Sequence, residues 1–183
     1  WLERQIAKIS CVPPKEFING EEFSFLGRNF PLRIINEPQF KKSPRIKYLP
    51  PHLQVRFCAE AVPCDWPKLF RMFYRRQAKK FLPDRLSHWS EIMNLKFSGI
   101  SIRGQRSRWG SCSHTGGISL NYKLMVFSLD IIDYVLIHEL AHLRHPNHSR
   151  EFWSLVGEHC GDFRERRKVL RNLAHTCDFL DFE

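Results

Sequence analysis

The sequence predicts an α+β protein, and three observations predict it. Residues 15–60 read as short apolar-polar runs separated by turn residues, as strands do. At Asp65 the pattern switches to helical spacing, and later strand and helix signals come in separate blocks. The 183 residues are 43% hydrophobic and 13% aromatic, which is enough for a packed core and too much for a chain that stays unfolded. This reading divides the chain into a β-rich N-terminal region, residues 1–64, and a mixed domain, residues 65–183.

Taken in order, Asn19-Gly20 separates Glu16-Phe17-Ile18 from the run 21–26. The pair tolerates the positive φ angles of a type I′ turn, so a hairpin is expected there. A strand-like run follows Gly27-Arg28-Asn29 at 30–35, Lys41-Lys42-Ser43-Pro44-Arg45 reads as an exposed loop, and Leu53 to Phe57 alternates as a strand. Asp65 is placed to cap a helix whose stripe is Trp66, Leu69, Phe70, Phe73, Ala78 and Phe81. Pro83 is expected to end it, with a second short helix over 84–94.

Ile100 and Ile102 alternate with polar neighbours as a half-buried strand does, a polar stretch covers 103–113, and a further strand is expected at 118–121. Ser128 is placed to cap a long helix over 129–145. Ile131, Ile132, Val135, Leu136, Ile137, Leu140, Ala141 and Leu143 leave that helix almost no polar face, so it should be buried. Pro146 disfavours helical geometry at His145 and closes the element. Helices over 149–159 and 162–173, with Gly161 between them, complete the order.

Net charge is +10 and uneven: residues 1–64 carry +4, residues 65–127 carry +9 and residues 128–183 carry −3. The middle segment is therefore the candidate face toward a polyanion, nucleotide or nucleic acid, beside the plainer reading of a solvated basic helix with its loops. Six scattered cysteines, Cys11, Cys58, Cys64, Cys112, Cys160 and Cys177, form no CxxC pair, which favours reduced thiols and a cytoplasmic location. No apolar run approaches the roughly 20 residues that cross a bilayer, so no membrane is expected as partner. Oligomeric state leaves no mark on the sequence.

The chemistry is concentrated in His138-Glu139-Leu140-Ala141-His142-Leu143-Arg144-His145-Pro146-Asn147-His148. His138 and His142 stand four apart, so on a helix their rings leave one face and converge on a single metal. Glu139 is one position round, within reach of a water on that metal. With this composition, chance yields only about 0.03 copies of HExxH. Unpaired histidines and a glutamate on an apolar helix are also costly without a ligand. His148 is the expected third ligand, brought back by the turn at Pro146-Asn147. A helical His145 would sit about 10 Å along the axis from His138. Glu151 is the carboxylate alternative, and also suits a helix N-terminus. Three protein ligands leave a catalytic Zn²⁺ an open position, whereas a structural zinc is closed by four. Cys112 has His114 nearby, but no local signature supports a thiol nucleophile. GxSxG and Walker A runs are both missing.

HExxH followed by His at +6 has the ligand spacing of metzincins, yet their Gly is replaced by His145, and Met72, Met93 and Met125 all precede the motif, so no Met-turn follows it. The chain resembles instead the YgjP-like metallopeptidase domain family, related to the SprT and WLM zinc proteases. The resemblance rests on Arg106-Ser107-Arg108-Trp109-Gly110-Ser111-Cys112-Ser113, Ile118-Ser119-Leu120-Asn121, the run from Tyr134 to Leu143, and Asn147-His148-Ser149-Arg150-Glu151-Phe152-Trp153. It implies a minimal zincin-like core, a small sheet whose edge strand lies above an active-site helix. On that basis Ile118, Leu120 and Asn121 are either on the edge strand, where an extended polypeptide substrate adds by main-chain hydrogen bonds, or on a plain structural strand. Arg106, Arg108 and Trp109 either line the cleft or brace it, and Tyr134 is either core or support for His138.

The expected function is zinc-dependent hydrolysis of peptide bonds, with His138, His142 and His148 holding Zn²⁺ and Glu139 as general base. Besides a non-catalytic scaffold that the metal merely stabilises, two alternatives stand beside it. One is hydrolysis of a nucleoside triphosphate by the same metal water, as has been linked to part of the family. The other is a protease that acts while bound to nucleic acid, which would make DNA binding steeply salt-dependent.

Overall fold

The computed structural model describes residues 14–40, 43–58 and 64–180. Cys11, Lys41 and Lys42 lie outside the described residues. Four strands form a first sheet: β1 (Glu22–Phe25), β2 (Arg28–Asn36), β3 (Arg45–Leu49) and β4 (His52–Phe57), in the order β1-β2-β4-β3. β2 and β4 run parallel, and the other pairs are antiparallel. Alternation sends Phe23, Phe25, Leu53 and Val55 to one buried face.

The hairpin is not at Asn19-Gly20. It turns at Leu26 and Gly27, with φ of +50° and +74°, the two positive values that a tight I′ turn needs. Residues 16–18 do not form a strand, because the Glu21 carboxylate accepts the backbone N–H groups of Phe17 (2.6 Å) and Ile18 (3.3 Å). The hairpin tip is pinned beneath a later segment: Leu26 N–H donates to Met125 O and Gly27 N–H to Val126 O. A Cβ on Gly27 would lie 2.6 Å from the Ser128 backbone, so only glycine lets these two turns touch.

Helix α1 (Trp66–Ile92) packs on this sheet. Asp65 caps it by accepting from Lys68 N–H at 3.0 Å. Asn94, at φ +50°, provides the left-handed exit. Pro83 lies inside one continuous 27-residue helix and does not separate two. Its missing N–H removes one hydrogen bond, but Ala78, Leu82 and Leu86 on either side are all fully buried on one face and hold both halves in register. Tyr74 Oη donates to Ser24 O at 2.5 Å, and Phe70 stacks on Phe23 at 4.2 Å.

A second sheet follows, with β5 (Gly99–Arg103), β6 (Gly110–Cys112) and β7 (Gly117–Asn121) in the order β5-β7-β6. Strand β6 falls in the stretch that sequence patterning reads as merely polar, since three residues are too few to show an alternation. After a 3₁₀ turn (Tyr122–Val126) come α2 (Leu129–Ala141), α3 (Arg150–His159) and α4 (Phe163–Asn172), then a second 3₁₀ segment (Ala174–Leu180). α1 and α2 are joined across their interface by Arg85, which donates to both oxygens of buried Asp133 at 2.7 and 2.6 Å. A bidentate pair of this kind contributes about 2 kcal/mol. Buried side chains from Phe17 to Leu180 form one continuous core. The architecture is α+β, with the small second sheet lying over α2.

Candidate metal centre

Helix α2 starts at Ser128, whose backbone carbonyl accepts Ile132 N–H while its hydroxyl makes no capping bond. The helix stops at Ala141, four residues short of the expected end. Leu143 N–H bonds back to Leu140 O, and the Arg144 and His145 N–H groups both reach Ala141 O, so the last turn tightens and unwinds ahead of Pro146. The chain then reverses, and Ser149 opens α3 by accepting Phe152 N–H at 3.4 Å.

That reversal brings His148 back over α2. His138, His142 and His148 each offer a ring nitrogen, all within 4.8 Å of one another. His138 Nε2 and His148 Nε2 are 3.1 Å apart. Two lone pairs facing each other repel unless a proton or cation lies between them. A tetrahedral zinc with bonds near 2.0–2.1 Å separates its nitrogen ligands by about 3.3 Å, so the His138–His148 pair fits. His142 Nδ1 lies 3.2 Å from His145 O; donation to that carbonyl leaves Nε2 as the free lone pair, an arrangement common at metal-ligating imidazoles. His145 thus contributes its backbone, and Glu151 stands outside the cluster with its carboxylate on Ser149 Oγ at 2.7 Å. The donor set, three imidazoles without a thiolate, suits zinc with one position left open.

Around the cluster the surroundings are apolar. The Phe152 ring lies 4.9, 4.6 and 4.8 Å from the rings of His138, His142 and His148. Trp153 stacks on His148 and on Phe163. Burial, then the neighbouring His142, His148 and Arg167, push the His138 pKa down to about 3, and its buried Nδ1 has no hydrogen-bond partner. Burial also raises Glu139 to about 8. Taking a charge out of water is the common cause. Burial thus disfavours charge on His138 and on Glu139 alike.

Glu139 is 6% exposed and lies under β6. Gly110 of that strand packs directly on it: a Cβ there would meet Glu139 Cγ and Oε1 at 2.6 Å. A cavity of about 420 Å³ opens beside these residues, with Trp109, Gly110, Tyr134, His138, Glu139 and Arg167 among its walls. Tyr134 is buried and its ring is 6.0 Å from that of His138, so it serves as wall and as support. Burial raises its hydroxyl pKa, and the charges of Arg167 and Arg171 act in the opposite direction.

The expected substrate strand needs correction. β7 is the central strand, paired with β5 on one side and β6 on the other, so its main-chain groups are already used. Ile118 and Leu120 point into the core. Asn121 is buried as well; its Nδ2 donates to Gln105 O at 2.7 Å and Arg108 O at 2.9 Å. It therefore shapes the loop leading to β6. Among the described residues the open edge over α2 belongs to β6, whose identity a three-residue strand concealed. Cys112 on β6 is half-buried, and burial followed by the Glu139 charge raises its thiol pKa, the opposite of the shift that activates a thiolate. Sequence reasoning also missed the roles of Gly110 and Phe152, both inside the motifs it singled out, and of Arg167 and Arg171, which lie outside them.

HExxH on a buried helix, a third histidine folded back onto it and a sheet edge above define the site of a metallopeptidase. The chain belongs to the YgjP-like metallopeptidase domain family, which it matches over residues 1–173. Among curated proteins none matches. Two solved structures are similar in part. The metallopeptidase zymogen abylysin of Pyrococcus abyssi is 27% identical, with 51% of this chain and 95% of that one covered at a TM-score of 0.46. The metallopeptidase zymogen jannalysin of Methanocaldococcus jannaschii is 22% identical, with 50% and 95% covered at a TM-score of 0.43. Among the described residues no helix is long and apolar enough to cross a membrane.

Proposed function

We propose that the protein is a zinc-dependent peptidase in which His138, His142 and His148 hold the metal and Glu139 is the general base. The observation that carries this reading is the 3.1 Å approach of His138 Nε2 to His148 Nε2 on the helix that also carries the buried Glu139. Zinc bound there would polarise the scissile carbonyl and acidify a water. The remaining steps belong to the chain. Glu139 accepts a proton from the attacking water and passes it to the departing amine nitrogen. The His145 carbonyl fixes the tautomer of His142, and Phe152 and Trp153 pack against the imidazoles. The β6 edge offers the main-chain groups along which an extended polypeptide aligns.

The test is direct. Purified protein should take up one zinc per chain and cleave an unfolded polypeptide, and His148→Ala should weaken zinc binding by orders of magnitude. Hydrolysis of nucleoside triphosphates with every peptide left intact would replace this reading with the pyrophosphohydrolase one.

Polyanion binding has separate support. Arg45, Arg75, Arg76, Lys79 and Lys80 line one groove between β3 and α1. Binding of a DNA oligonucleotide there should weaken steeply between 50 and 200 mM salt, as phosphate contacts require; salt-independent binding would rule it out.

A further inference from the structure

We propose that the cavity beside the histidine cluster recognises a carboxylate side chain, glutamate above all, on the substrate residue flanking the bond to be cut. The inference rests on the peptidase reading and names its substrate preference. His138 and Glu139 are themselves walls of this cavity, so a group filling it is no more than one residue from the reacting atoms. Tyr134, Val135 and Leu170 form buried apolar walls. The other end is cationic: Arg108, Arg167 and Arg171 line it and are exposed to solvent.

Among the described residues, none of these three guanidiniums is paired with a carboxylate. Arg167 and Arg171 are four apart on α4, so both leave the same helix face. Arg167 lies over the Trp153 ring, 5.3 Å from its centroid. That contact holds Arg167 beside the histidine cluster, since Trp153 also packs on His148, and a guanidinium has five N–H donors with which to meet a carboxylate. A glutamate side chain matches this profile, with methylenes against the apolar wall and the carboxylate in a fork of N–H donors. A triphosphate matches it less well, because its charge would run along the apolar wall and the sequence has no glycine-rich phosphate loop.

The test uses the full chain, zinc-loaded and carrying Glu139→Gln so that bound peptides stay intact. Matched peptides with Glu, Gln or Lys on either side of the scissile bond are titrated while Trp fluorescence is followed. The Glu peptide should bind about tenfold tighter than the Gln peptide, the worth of one charge-assisted hydrogen bond, and the Lys peptide should bind weakest. Arg167→Ala should shrink the Glu-over-Gln ratio, and Arg171→Glu should turn the preference toward Lys. Both side chains are exposed, so folding is not at stake. Equal binding of Glu and Gln peptides overturns the proposal, as does a preference that survives both substitutions or a nucleoside triphosphate that binds where no peptide does. Cleavage by the active protein separates the two ideas. Glu-selective binding without any cleavage keeps the pocket and removes the peptidase reading; cleavage without selectivity does the reverse.

Discussion

Glu139→Gln is expected to keep the zinc and lower kcat by about 10²–10⁴-fold, the range a positioned general base supplies. The substitution preserves shape and removes only the ability to accept a proton, and the three imidazoles do not depend on it for their positions. Metal analysis should therefore still find one zinc per chain while peptide turnover disappears. Turnover near the wild-type level would show that another group takes the proton. The same variant makes a prediction for the metal-free protein. Burial raises the Glu139 pKa from 4.5 to about 8 in the folded chain, so the folded state holds a proton that the unfolded state has released. Wild-type stability should thus fall as pH rises from about 4.5 to about 8 by an amount that the glutamine variant does not lose. Thermal unfolding of both proteins across that interval checks the sign: the Gln variant should gain on the wild type as pH rises.

Gly110→Ala should be the second severe lesion, although it adds one methyl group to a three-residue strand. The glycine φ is not in the left-handed region, so alanine meets no backbone strain there. The damage comes from contact, because the new Cβ would lie 2.6 Å from Glu139 Cγ and Oε1 and the carboxyl group must move. Displacing a reacting group by about 1 Å can cost about 10²-fold in rate. The expected result is zinc content unchanged, a small shift in Tm and kcat/KM lower by about 10²-fold. A variant as active as the wild type would mean that Glu139 has room to work from elsewhere.

Much of the site was legible because helical geometry is local. Four residues of rise and rotation align His138 with His142 wherever the helix is placed, and an apolar surround around Glu139 follows from its greasy neighbours in sequence. Local signals also placed the Asp65 cap and the strands near 30–35, 53–57 and 118–121. Where local signals failed, packing had a stronger claim. Asn19-Gly20 has the better turn residues, yet the hairpin formed at Leu26-Gly27, where the strand faces meet and Gly27 touches Ser128. Pro83 is a local breaker, but a stripe buried on both sides of it kept α1 whole.

The charge map shows the same division. The segment of net charge −3 supplies Arg167 and Arg171 beside the site, while most basic residues of the +9 segment lie elsewhere. Net charge sums over a stretch of chain, whereas a cavity is lined by whichever residues the fold directs inward. The sequence by itself determined the HExxH spacing, the glutamate beside the first histidine and the family, since these reside in spacings along one helix and in short ordered runs. Only the tertiary structure decided that β6 and not β7 is the free edge, that Gly110 presses on Glu139, and that arginines from α4 flank the reacting atoms. Those relations join residues distant in the chain, and their geometry comes from how sheet and helices bury a shared core, which no local spacing records.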